Sequence, residues 1–334
     1  MDDDSCAKCE EKPGDVRCSC GERFCEYCFS NKHLPRNPTH KRVEAKRTPN
    51  TVESLVAAAK KNDSATVADL LDRNVQIDGK HGGWTALGYA AYSGHLDTVR
   101  VLLLRGADMD IRMDVGFGVL PGDGSAINWA ACGGYLDVVK LLLERGAKAN
   151  ICATRPVFLG TGGTPITMAA GKDRLEVVRY LLDKGCDDCS SDVPGWDALI
   201  IACERGQLNT IKYLVEDRGL NVNRVGNNGV TTLITAAQSQ QTAVMEYLVK
   251  CGAHIDAVDN DGTTALLQAV MKKRVGSVEW LVKRGADARK KNKKGDSPLI
   301  LAREELQKNA DDKNAAAMVK WLEVPINVVF HTKA

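Results

Sequence analysis

The chain has 334 residues, a length that suggests two domains or one elongated array. Hydrophobic residues make up 44% and charged residues 26%, which is the balance of folded protein and excludes wholesale disorder. Lys+Arg at 45 against Asp+Glu at 43 leaves +2 overall, so no global field draws the chain to nucleic acid or an anionic membrane. No apolar run approaches the ~18 residues of a membrane span. The acidic opening MDDDSC, with no apolar stretch behind it, does not read as a secretory signal. The expected compartment is therefore the cytoplasm.

The first informative segment is rich in cysteine. Six of the twelve cysteines fall early: Cys6, Cys9, Cys18, Cys20, Cys25 and Cys28, followed by His33 and His40. Zinc takes four N or S ligands in a tetrahedron, and these eight residues suffice for two such sites. So short a segment cannot bury enough apolar surface to fold unaided. Structural zinc would supply the missing free energy, on the order of 10 kcal/mol per site. In a reducing compartment this chemistry outranks a disulfide framework.

The order and spacing of these residues resemble the B-box zinc finger, over residues 6–43 and including the ending His40-Lys41-Arg42-Val43. The resemblance implies a cross-brace. One zinc would be held by Cys6, Cys9, Cys25 and Cys28, and the other by Cys18, Cys20, His33 and His40. The Cys18-x-Cys20 pair is one residue tighter than is usual there, which makes Cys20 the least secure ligand. A MYND finger is the nearest competitor, but it ends in His then Cys, whereas this segment ends in two histidines. With every ligand position taken by protein, neither ion could activate water, so two structural Zn(2+) ions are expected. Residues 1–43 are read as this module and 44–50 as a linker.

From residue 51 onward the chain repeats itself. Thr85-Ala-Leu-Gly-Tyr-Ala90 is echoed at Ser125, Thr164, Asp197, Thr231, Thr264 and Ser297, at spacings of 40, 39, 33, 34, 33 and 33 residues. A second phrase follows most copies, as in Val101-Leu-Leu-Leu-Arg-Gly-Ala-Asp108 and Leu281-Val-Lys-Arg-Gly-Ala-Asp287. The Thr or Ser predicts an N-cap, Pro fits a first turn, and the Gly predicts a left-handed helix end. One such helix pair cannot bury its own apolar face, so stacking is obligatory. Period and phrases together resemble the ankyrin repeat. The implied fold is a mainly α ankyrin-repeat solenoid over residues 51–334, with about seven repeats plus caps. Val52 to Asp78 reads as the opening cap, and the last repeat is stretched between Glu304 and Lys313. The family's His is replaced in all seven copies, by Gly88, Asn128, Thr167, Ile200, Ile234, Leu267 and Ile300, so the capping network it supports is expected to be lost.

Two spacings carry six or seven extra residues, at Met113–Gly124 and Ala153–Gly163, where an ankyrin array has its finger loops. Phe117, Val119 and Leu120 in one, and Val157, Phe158 and Leu159 in the other, are candidate partner-binding residues, because apolar side chains on projecting loops mark interaction surfaces. Packing of the two loops on each other is the competing expectation. The basic run Arg289–Lys294 has no interleaved aromatics for stacking bases and reads mainly as a solvated loop, with a nuclear import signal or an acidic-partner patch as its functional alternatives. Cys186-x2-Cys189 has no matching pair, and Trp129, Tyr89 and Met168 read as packing residues. No nucleophile–base pair or phosphate loop is evident.

The sequence thus points to a non-enzymatic scaffold that binds a protein partner, with no small-molecule substrate, nucleic acid or membrane. A ubiquitin-ligase substrate adaptor and a structural subunit of a larger assembly are the alternatives.

Overall fold

The computed structural model describes residues 16–18, 23–24, 42–44, 49–113, 124–148, 163–186 and 198–323, the first three segments as backbone only. The chain divides into two compact units, Met1–Asn50 and Thr51–Ala334.

In the first unit, β1 (Val16–Cys18), β2 (Arg23–Phe24) and β3 (Arg42–Glu44) form an antiparallel sheet in the order β2-β1-β3. Val16 pairs with Phe24 and Arg17 with Arg23, while on the other edge Val16, Arg17 and Cys18 face Glu44, Val43 and Arg42. No strand is expected from the sequence, because runs of two or three residues are too short to show a period-2 pattern. Cys6, Cys9, Cys20, Cys25, Cys28, His33 and His40 lie outside the described residues.

The second unit is a row of helix pairs, and sixteen helices are seen among the described residues. Val52–Lys60 (α1) and Ser64–Asp72 (α2) open it, followed by Ala86–Ser93 (α3), Leu96–Leu104 (α4), Ala126–Gly133 (α5) and Leu136–Glu144 (α6). Pro165–Ala170 (α7), Leu175–Asp183 (α8), Ala198–Arg205 (α9) and Leu208–Lys212 (α10) come next. Thr232–Gln238 (α11), Thr242–Lys250 (α12), Ala265–Met271 (α13), Val275–Lys283 (α14), Pro298–Lys308 (α15) and Lys313–Leu322 (α16) complete it. The odd-numbered helices stack in an inner row, each on the next, and the even-numbered helices back them. One continuous apolar core runs from Leu55 to Leu322 through Leu102, Leu142, Leu181, Leu248 and Leu281.

Local chemistry explains the elements. Thr85 Oγ1 accepts from Gly88 N at 3.0 Å, Thr231 Oγ1 from Ile234 N at 3.2 Å and Thr264 Oγ1 from Leu267 N at 3.1 Å, satisfying an otherwise orphaned N–H in each helix. Pro165 and Pro298 occupy first turns. The loss of the family His therefore leaves these caps intact. At one copy the substitute does more. Ser125 N and Oγ donate to Asn128 Oδ1 at 3.1 and 2.8 Å, and Asn128 Nδ2 donates to the Gly163 carbonyl of the next repeat at 2.9 Å.

Each inner helix except α15 turns back through a left-handed residue: Asn62, Gly94, Gly134, Asp173, Gly206, Gln240 and Lys273. The side chain just after it often bonds back to the preceding repeat. His95 Nδ1 donates to the Ala59 carbonyl at 2.9 Å, Gln207 Nε2 to Gly171 at 3.2 Å, and Arg174 and Arg274 Nε to Cys132 and Gln238 at 3.3 and 2.9 Å. Polar side chains thus tie neighbours whose apolar faces are already stacked.

Irregular spacing is absorbed outside the stack. The 34-residue spacing places one extra residue before Gly219, and α10 continues as a π-helical turn, Tyr213–Asp217. A single insertion is what such a turn accommodates. Its Glu216 accepts from Tyr247 Oη at 2.9 Å, so the widened turn still engages α12. The stretch at Glu304–Lys313 is largely helix rather than loop, since strong helix formers carry α15 to Lys308 before Asp312 caps α16.

Leu142 is fully buried and Leu104 is 72% exposed, although both lie in Leu-Leu-Leu phrases. Leu142→Ala should therefore lower unfolding free energy by about 3 kcal/mol, while Leu104→Ala should stay within about 0.5 kcal/mol. Urea denaturation followed by far-UV circular dichroism separates the two.

Candidate partner-binding face

Positions five, two and one residues before each left-handed residue lie on equivalent sites of successive inner helices. In the first four pairs they are Ala57, Lys60 and Lys61; Tyr89, Tyr92 and Ser93; Trp129, Cys132 and Gly133; and Met168, Gly171 and Lys172. Aromatic rings converge there. Trp84 lies 5.2 Å from Tyr89, 5.4 Å from Tyr92 and 4.9 Å from Trp129, and Tyr92 meets Trp129 edge-on at 5.6 Å. Such centroid distances are those of rings in contact, so the cluster is a packed floor with no cage for a guest between its rings. Trp129 is wholly buried beneath it, with Nε1 donating to the Gly124 carbonyl at 2.9 Å, while Trp84, Tyr89 and Tyr92 are partly buried.

The same floor anchors the first long finger. Met113 N donates to the Gly124 carbonyl at 3.1 Å, closing the base of the insertion directly beside Trp129. Met113 is fully buried against Trp129, Cys132 and Met168. It occupies the space that Gly88 leaves at the family's His position, since a Cβ there would lie 2.5 Å from Met113 Sδ and Cε. Thr85 Oγ1 also donates to Met113 Sδ at 3.5 Å. Phe117, Val119 and Leu120, like Val157, Phe158 and Leu159, lie outside the described residues.

Two exposed lysines border this floor, and Glu53 lies near it at 3.9 Å from His81, the bridge partner of Trp84. Lys60 Nζ sits 5.5 Å from the Tyr89 ring centroid, a cation–π distance, and both Lys60 and Lys172 are exposed. Burial pushes the Cys132 thiol pKa up, with Lys172 and Arg174 near enough to pull against it. None of the twelve equivalent positions in the first four pairs is acidic. In the next three pairs the same positions read Ile201, Glu204 and Arg205; Thr235, Gln238 and Ser239; and Gln268, Met271 and Lys272. Gln268 Nε2 donates to Gln238 Oε1 at 2.8 Å there, and the face is mainly polar, with Met271 exposed on it.

The sequence reading of Trp129 and Met168 as packing residues agrees with their burial, but the convergence of Trp84 and Tyr92 on them was missed, as was Met113. Trp84 directly precedes the Thr85 cap, and that adjacency was the available signal. Cys186 is buried in the core, and no metal-holding group of three or more His, Cys, Asp or Glu occurs among the described residues. The cleft at Asp173, Arg179, Lys212 and Tyr213 is occupied by the protein's own contacts, with the Arg179 guanidinium 4.3 Å from the Tyr213 centroid and 3.6 Å from Asp217. No helix among the described residues is long and apolar enough to cross a membrane.

Glu204 is 6% exposed, and its Oε2 has no hydrogen-bond partner among the described residues. Burial pushes its carboxyl pKa above the ordinary value, with Arg205 opposing. The folded chain therefore holds this proton more tightly than the unfolded chain. Stability from this residue is present at low pH and is lost as pH rises through the window above the ordinary carboxylate pKa. Glu204→Gln should raise the melting temperature at about pH 8 and change it little at about pH 4, where the carboxyl is mostly protonated in either state. Scanning calorimetry at the two pH values checks this.

Comparison with known proteins agrees with the geometry. The family model for ankyrin repeats (3 copies) matches residues 28–113, 127–226 and 218–292. The chain is similar to human transient receptor potential cation channel subfamily A member 1, at 30% identity over 89 residues, 27% of this chain and 8% of that protein. It is 34% identical over 93 residues to human ankyrin repeat domain-containing protein 63, 27% of this chain and 24% of that one. It is 31% identical over 87 residues to alpha-latrocrustotoxin-Lt1a of Latrodectus tredecimguttatus, 26% of this chain and 6% of the toxin. The chain thus spans under a quarter of the length of each of these relatives. Ankyrin arrays serve in general as protein–protein interaction scaffolds. With matches over most of its length and helix pairs stacked in the family's manner, the chain belongs to the ankyrin-repeat family.

Proposed function

We propose that this protein is a non-enzymatic adaptor that holds a protein partner on the inner-helix face and long fingers of its ankyrin array. The observation that carries the reading is the aromatic floor beneath the first long finger, where partly buried Trp84, Tyr89 and Tyr92 flank the closed base at Met113 and Gly124. Repeat arrays offer such extended faces, and large amphipathic rings are the side chains that anchor protein interfaces. The finger residues Phe117, Val119, Leu120, Val157, Phe158 and Leu159 extend the same surface in this reading. Changing Phe117 and Phe158 together to Ser should weaken capture of the native partner by about tenfold or more. Its melting temperature should be nearly unchanged, and normal capture with a much lower melting temperature would identify the loops as internal packing.

The N-terminal unit adds a second contact, as a B-box-like module with two structural zinc ions. Cys6, Cys9, Cys25 and Cys28 would hold one ion, and Cys18, Cys20, His33 and His40 the other. The sheet register supports the second set, because Cys18 pairs with Arg42, two residues along the chain from His40. Thiolate and imidazole are ligands suited to zinc, and the ions would cross-link a unit too small to fold on apolar burial. Elemental analysis of the full chain should find two zinc ions, and a shortened chain beginning at Thr51 should carry none. One ion would mean that the tight Cys18/Cys20 pair fails as a site. Acid should release the metal, since the ligands must be deprotonated to bind.

A further inference from the structure

We infer that the face of the first four helix pairs selects an acidic polypeptide segment, one that presents an aromatic or branched aliphatic side chain flanked by Asp or Glu. The inference rests on the adaptor reading above and specifies the partner's chemistry. Two independent features support it. The first is the partly buried rim of Trp84, Tyr89 and Tyr92 over buried Trp129, which offers some apolar area with the Tyr hydroxyls and indole edge as polar handles. The second is charge. Lys60 lies at one end of this floor, over the Tyr89 ring, and Lys172 at the other, within electrostatic reach of Cys132. Both are exposed, neither has an ion-pair partner among the described residues, and the twelve equivalent positions between and beside them include no carboxylate.

Some exposed cations elsewhere in the array are matched by carboxylates. Arg105 pairs with Asp72 at 2.6 Å, Arg218 with Asp183 at 3.2 Å, and Lys273 with Glu305 and Asp312 at 3.1 and 3.0 Å. Lys61, Lys80, Lys212, Lys272 and Lys291 are likewise exposed without an ion-pair partner among the described residues, so it is the place of Lys60 and Lys172 at the two ends of the aromatic floor that carries the charge argument. A basic segment would meet like charge at both ends, which disfavours it. The polar face of the later pairs, with Glu204 and Arg205 together, offers no such discrimination.

Panning a random peptide display library on the full chain tests this directly. The recovered peptides should place two or more acidic residues beside one aromatic or branched aliphatic residue. Synthesised with a fluorescent label, they should bind the full chain by anisotropy and lose affinity as salt rises. Lys60→Glu with Lys172→Glu, both at exposed positions, should weaken them by about tenfold with no change in melting temperature. A neutral or basic consensus would overturn the inference, as would affinity indifferent to the double reversal, tighter binding of a labelled single-stranded oligonucleotide, or no peptide above background. Capture of the native partner that survives the double reversal but fails in the Phe117/Phe158 variant would keep the adaptor reading and overturn this one. Loss of neither would sink both.

Discussion

No helix pair in the array can bury its own apolar face. Each inner helix presents apolar or small residues to the neighbour before it and the neighbour after it, so stacking is the condition for any pair to fold. Ala90, Ala91, Ala130, Ala131, Ala169 and Ala170 have essentially no exposed surface, because small side chains let successive inner helices approach closely. Interactions along the row therefore dominate, and the bonds from His95, Arg174, Gln207 and Arg274 to the preceding repeat run in the same direction. The stacked positions must keep their register. Extra sequence is pushed into a finger at Met113–Gly124, into a π-turn at Tyr213–Asp217, or into extra helix at the last pair.

That freedom is also where function enters. An insertion in a finger costs little closure entropy and leaves the stack untouched. Here the insertion begins and ends beside the aromatic floor, and it changes the floor's packing through Met113. Gly88 and Asn128, both at the family's His position, resolve its loss differently. Gly88 makes room for a side chain from the inserted finger, while Asn128 hydrogen-bonds within its own turn and across to Gly163.

The face consequently changes character along the array. Its first half is aromatic and bordered by lysine, and its second half is polar, with a buried carboxylate at Glu204 whose deprotonation costs stability. A chain with a net charge of only +2 can still set lysines at both ends of one local floor. Overall charge says little about such a face.

The repeat period and the Thr and Ser N-caps were legible in the sequence because each is local. Thr85, Thr231 and Thr264 cap helices three residues away, and the left-handed turns fall at glycines and a few polar residues. Cysteine and histidine spacing likewise proposes zinc ligands from short-range pattern alone. Tertiary structure decided what depends on distant residues meeting. Trp84, Tyr89, Tyr92 and Trp129 become one floor only when two repeats stack, and Met113 finds Gly88 only when the finger closes at Gly124. Glu204 reads as an ordinary surface residue near a helix end until its surroundings bury it. A 33-residue period encodes the helices, whereas the chemistry of the face arises from residues at equivalent positions one period apart, which share a surface only after the chain has folded.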